Sequence, residues 1–225
     1  MSELQSRGPS IIFEVLRRPR PALESIGRES RLGSGIAVVA IWAALGLILT
    51  LLSGPGGGLR PEQFPELPPA AFAQLERGLR VFVPLSALLF PFVWWLGVSS
   101  LMYLTVRLFG GRASLSSMLA VVGVACAPWV AGYLVQIPLA LLQLALEGGG
   151  TVPAILGALT FIVSAAALVW HVALVVLGAR LVAGTSPGGA AASCALAGLG
   201  CVTAAFFLGL TLVTLAVGLS RGFGG

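Results

Sequence analysis

The sequence contains no lysine, no aspartate and no asparagine, and one histidine and three cysteines among 225 residues. These absences exclude lysine nucleophiles, Asp-rich metal sites and N-glycosylation. Only 9% of the residues are charged and 57% are hydrophobic, far from the roughly one-quarter charged mixture of a soluble domain, so an ordinary soluble enzyme is excluded. Cys126, Cys194 and Cys201 are odd in number, lie in apolar surroundings and form no C-x-x-C pair, which supports neither a disulfide framework nor a zinc site. Paired acids can do acid–base chemistry, but Glu62, Glu66 and Glu76 stand in one segment without a base, nucleophile or metal ligand beside them. The expectation is a chain with no catalytic residue, no metal ligand and no cofactor.

What is present is long apolar sequence. Five blocks carry no Arg or Glu: about 35–53, 81–106, 115–146, 153–178 and 189–219. Each is long enough for a spanning helix, which satisfies its own backbone groups in hydrocarbon. The predicted fold is all-α and polytopic, a bundle over 35–219 with five transmembrane helices. An N-terminal arm (1–34) precedes it, a Pro- and Gly-rich loop fills 54–80, and a short tail closes the chain at 220–225. Within the loop, a short helix is expected from about Ala70 to Arg80. Gly184 to Gly188 mark a turn between the last two spans.

Cytoplasmic segments accumulate basic residues, and that bias orients the chain. The arm, the loop after the second span and the turn after the fourth carry nine arginines, the other side only four. The arm is therefore expected in the cytoplasm and the C-terminus outside. In the arm, Ile11, Ile12, Val15 and Leu16 share one helix face and Glu14, Arg17 and Arg18 the other. Pro19 ends that helix and Pro21 fits the first turn of a second, which carries Leu23 and Ile26. Short amphipathic helices of this kind lie in a membrane interface, either as a surface platform or partner-docking arm or, the preferred expectation, packed under the chain's own bundle. The net charge of +5 comes from arginines interspersed with glutamates at span ends, so the expected partner is anionic lipid headgroups at the arm, not nucleic acid.

Inside the spans, His171 is the one ionisable side chain at depth, where such groups are costly and often functional. A proton relay needs a second group, and the spans hold no Asp, Glu or Lys. A neutral histidine hydrogen-bonded to a neighbouring helix is expected instead, with Gln136 and Gln143, seven residues apart, as candidate polar contacts. Pro91, Pro128 and Pro138 are candidate kinks, since each removes a backbone donor and crowds the preceding turn. Ala190, Cys194, Ala197, Cys201 and Ala204 form a strip of small residues at alternating steps of four and three. Such a face permits close helix approach, against the chain's own helices or another subunit.

With the spans placed, the chain resembles the Yip family of five-span, Rab-interacting membrane proteins, in its bacterial branch. The likeness rests on the lead-in Phe13 to Pro19, on Gly110-Gly111-Arg112-Ala113-Ser114, on Gly123 with Pro128 five residues later, and on Trp170 followed by Gly178 and the Gly184-Thr185-Ser186 turn. The chain departs from the family in lacking its acidic arm and in carrying Val124 where a tyrosine follows the glycine. Rab binding is therefore not carried over. The resemblance implies a five-helix bundle with interfacial N-terminal helices and no catalysis, in a bacterial cytoplasmic membrane. The expected role is non-enzymatic, an organising or accessory subunit acting through protein and lipid contacts, with another membrane protein or a second copy as partner. The rival expectation, from the proline-interrupted spans, Gln136 and His171, is a small-solute transporter or lipid-handling protein.

Overall fold

A computed structural model describes residues 8–54, 68–146 and 151–203, with the side chains of 8–10, 151 and 153 left out. The arm is a helical hairpin. Helix α1 (Gly8–Arg17) ends before Pro19, and α2 (Pro19–Glu29) begins on that proline, whose missing N–H costs nothing in a first turn. Ser30, with a left-handed backbone (φ 45°), stops α2 as its C-cap. Leu32 opens α3 (Leu32–Leu52) directly afterwards. The apolar face read from the sequence is the buried one: Ile11, Ile12 and Val15 of α1 and Ala22, Leu23 and Ile26 of α2 enter the core, while Phe13 remains 64% exposed.

The remaining described helices are α4 (Pro69–Leu108), α5 (Leu115–Val124), α6 (Ala127–Ala145), α7 (Thr151–Ala183) and α8 (Pro187–Thr203). Four stretches are long and apolar enough to cross a membrane: Leu32–Leu52, Pro69–Leu108, Leu115–Ala145 and Ala154–Ala183. Helix α8 is a shorter apolar helix within the fifth block, whose remainder lies outside the described residues. The chain is an all-α, multi-pass membrane protein.

Helix α3 starts at Leu32 and α8 at Pro187, inside the expected turn, each a few residues before its apolar block, and three larger boundaries differ from the sequence reading. The helix expected over Ala70 to Arg80 is not separate from the second span, because α4 is one helix of 40 residues from Pro69. Nothing between Arg80 and Val81 breaks helical hydrogen bonding, so the charge that ended the apolar block did not end the helix. The fourth block continues as helix to Ala183, where Gly184 takes a positive φ of 68°. The third block is two helices, interrupted at Ala125 and Cys126.

Pro128 explains that interruption. A proline ring crowds the carbonyl four residues earlier and cannot donate to it; here that residue is Val124, the last of α5. Pro128 then occupies the first turn of α6. Pro84 and Pro91 in α4, and Pro138 in α6, lie inside helices that continue through them. Long membrane helices tolerate one lost bond in this way.

Helix α5 is the hub. It packs against α2, α3, α4 and α7, and α3 packs in turn on α4 and α6. Seven of its ten residues are buried, among them Met118, Ala120, Val121, Gly123 and Val124. Close approach explains why small residues sit here. A Cβ on Gly123 would stand 2.7 Å from the Gly35 Cα and 2.9 Å from the Trp95 Nε1, and one on Gly178 would collide with the Val121 Cγ1.

Candidate sites inside the bundle and at its arm

His171 meets the backbone of the α5–α6 break. The Trp129 N–H donates to Cys126 O (3.0 Å) rather than to Ala125 O, where an unbroken helix would send it. The freed Ala125 carbonyl is taken by His171 of α7, whose Nδ1–H donates to it at 2.8 Å. That bond places the ring proton on Nδ1, since a carbonyl only accepts. His171 is buried beside Trp129, ring centroids 6.2 Å apart, and Trp129 stacks on Trp42 at 5.8 Å and 14°. Trp95 Nε1 donates to Leu119 O (2.8 Å), fixing α4 against α5.

The glutamines do not meet His171. Gln136 is buried and its Nε2 donates to Ser164 Oγ of α7 at 3.0 Å, while Ser164 donates onward to Thr160 O. Gln143 is only half-buried near the end of α6. Neither glutamine supplies the histidine's bond, whose partner is a backbone carbonyl. That carbonyl, left free where Trp129 N–H turns to Cys126 O, carries no signal of its own in the sequence.

The small-residue strip lies against α4. Ala190 and Ala197 are fully buried, with Cys194 and Cys201 half-buried at the edge of the same core. The Cys201 Sγ stands 3.5 Å from where a Cβ of Gly97 would be, and Thr105 Oγ1 of α4 lies 3.4 Å from Ser193 O. Ala204 falls outside the described residues.

At the other end, the arm meets two segments far apart in sequence. The loop after α4 turns on Gly110 (φ 79°), and Arg112 N–H donates to Ala183 O at the end of α7 (3.1 Å). A Cβ on Gly111 would collide with Val106 and crowd Thr185. Ser114 caps α5 by accepting from Ser117 N–H, and Ser117 Oγ lies 2.8 Å from Ser30 Oγ at the end of α2. The arginine-bearing segments thus converge at one end of the bundle.

Two crevices flank α2 there. One, of about 490 Å³, has Glu24, Arg28, Arg112, Ser114 and Ser117 in its lining. The other, of about 270 Å³, has Arg20, Arg180 and Thr185. Glu24 accepts from Arg20 (3.2 Å) and from Arg28 (3.4 Å). Exposed pairs of this kind contribute little to stability. Among the described residues, Arg112 and Arg180 have no carboxylate within ion-pair distance. One carboxylate among four guanidinium groups leaves this end basic. The crevices can hold an anion. The sequence pointed to lipid headgroups at the arm alone and did not reveal the contributions of Arg112, Arg180 and Thr185, which depend on the fold bringing the α7 end beside α2.

Among the described residues, no group of three or more His, Cys, Asp or Glu side chains is placed to hold a metal ion. A family model described as Yip1 domain matches residues 13–210. No curated protein and no solved structure matches the chain.

Proposed function

Since the chain belongs to the Yip1-domain family, we propose that it is a non-enzymatic organising or accessory subunit of a membrane assembly, acting through protein and lipid contacts. The observation that carries this reading is the arm. Hairpin α1–α2 is fastened to the hub by Val15, Leu23 and Ile26, all fully buried. Its open face exposes Arg17, Arg18, Arg20 and Arg28, of which Arg28 lines one crevice and Arg20 the other. A surface held in that way is a fixed platform, suited to meeting headgroups or a partner without rearranging. The interior supports the same reading: His171 and Gln136 are each spent on a structural bond between helices.

The membrane is a bacterial cytoplasmic membrane, with the arm inside and the C-terminus outside, by the arginine bias. Single cysteines at Ser2 and Gln63, in a chain with the native cysteines replaced, test the orientation. An impermeant thiol reagent should label the Gln63 site in intact cells; labelling at Ser2 instead reverses the topology.

The role is tested by purification from native membrane in a mild detergent. A membrane protein, or a second copy of the chain, should co-purify at constant ratio. Recovery of the chain alone, together with solute flux in reconstituted proteoliposomes, overturns the accessory role in favour of a transporter.

A further inference from the structure

Two cavities of opposite chemistry lie on one face of α7. The crevice at the arm carries Arg20, Arg180 and Thr185. Further along the helix, an open apolar groove of about 280 Å³ runs between α6 and α7, walled by Ala131, Gly132, Ala166, Ala167 and Trp170, with Leu16 of α1 at its rim. Val163 and Trp170 line the groove and Leu177 the crevice. These three recur every seven residues along α7, which keeps them on one helix face with a drift of about 20° per step. From Arg180 to Val163 the helix rises about 25 Å, more than the roughly 15 Å depth of one hydrocarbon leaflet.

We propose that this face holds one anionic phospholipid, its phosphate against Arg20, Arg180 and Thr185 and an acyl chain in the α6–α7 groove. The proposal deepens the lipid-contacting reading of the arm and rests on it. Three observations carry it. Guanidinium groups match phosphate oxygens in geometry as well as charge, and Arg180 has no ion-pair partner among the described residues. Thr185 lines the crevice at 8% exposure, and its Oγ1 is buried with no hydrogen-bond partner among the described residues; a phosphate oxygen supplies the missing partner. Finally, the groove lies further along α7 towards the bilayer centre, and the small residues Ala131, Gly132, Ala166 and Ala167 form part of its wall. Trp170, 43% exposed, lines the groove.

The test uses the full chain, purified in detergent and stripped of lipid. Melting temperature and binding are followed on adding phosphatidylglycerol, phosphatidylcholine of the same acyl chains, or glycerol phosphate. Phosphatidylglycerol should bind about tenfold or more tighter than phosphatidylcholine, and glycerol phosphate should not bind at matched concentration. Arg20→Gln and Arg180→Gln should each cut the phosphatidylglycerol affinity about fivefold, while Arg107→Gln, an equal charge change at the end of α4, should leave it unaltered. Ala166→Trp should weaken both lipids and keep the headgroup preference. Arg180 is exposed, so Arg180→Gln decides the case where Ala166→Trp does not fold. Equal binding of the two lipids, or an Arg107→Gln loss matching that of Arg180→Gln, overturns the site. Glycerol phosphate binding as well as the lipid overturns the acyl half and leaves a free-phosphate site. Loss of headgroup preference leaves partner recovery unaffected, and a chain purified alone leaves the lipid measurement unaffected, so the two readings fail separately.

Discussion

Helices α4 and α5 are built from the same apolar palette, yet seven of ten residues in α5 are buried and only six of forty in α4. Hydropathy does not separate them, because lipid tails are as apolar as leucine and give helices no reason to bury one hydrophobic side chain over another. Side-chain size separates them. Helix α5 and the helices facing it meet at Gly35, Ala120, Gly123 and Gly178, where backbones come within contact of one another or of a side-chain tip. Helix α4 turns Val81, Phe82, Leu85 and Val93 outward and contributes Trp95, Val98 and Met102 inward. In this bundle the inside is where backbones can approach, and that criterion differs from the one that shapes a soluble core.

If that contrast is right, substitutions at the hub should cost far more than larger ones on the outer helices. The biggest loss is expected at His171. Its replacement by Ala strands the Ala125 carbonyl and leaves a cavity beside Trp129, which should cost about 3 kcal/mol of stability in detergent unfolding. His171→Gln keeps a donor and should retain most of that. Equal loss in both would mean the ring, not the hydrogen bond, is what the site requires. A smaller loss is expected where α8 meets α4: Ala197→Leu overpacks a fully buried position and should cost about 1 to 3 kcal/mol. Unchanged melting together with reduced partner recovery would instead assign the strip to another subunit. The smallest effect is expected on the outer face of α4, where Phe82 is 61% exposed; Phe82→Ala should move stability by less than about 0.5 kcal/mol. A large drop there would show that the outer face is covered in the assembled protein.

The same contrast explains what could be read from sequence. Composition places the chain in a membrane, and charge-free runs locate its spans, because both reflect the solvent. The arm was legible for a different reason: at an interface, polarity does discriminate, and Ile11, Ile12, Val15, Leu23 and Ile26 stand apart from their charged neighbours. Rotation of the spans was not legible. Gln136 was recognised as an intramembrane polar contact but not paired with Ser164, since that pairing depends on how α6 and α7 are turned. Pro128 was recognised as a kink, and the i−4 rule carries the break back to Val124; the same rule gave no means of distinguishing Pro91 and Pro138, whose helices continue. The extension of α4 back to Pro69 was hidden because charges end an apolar block without ending a helix. Convergence of Arg20, Arg112, Arg180 and Thr185 is likewise tertiary information, set by the contact of Arg112 with Ala183.

The most direct measurement is a matched pair of glycine substitutions, one at the hub and one on an outer helix. A Cβ on Gly123 meets the Gly35 backbone, whereas one on Gly157 of α7 has nothing within 4 Å. Both glycines are helical, so alanine gains intrinsic helix propensity of about 1 kcal/mol at either. In unfolding of the purified chain, Gly157→Ala should be as stable as the parent or more so, and Gly123→Ala should be less stable by about 2 kcal/mol, the close approach outweighing the propensity. Two substitutions that stabilise alike would contradict the claim that backbone approach at α5 holds this bundle together.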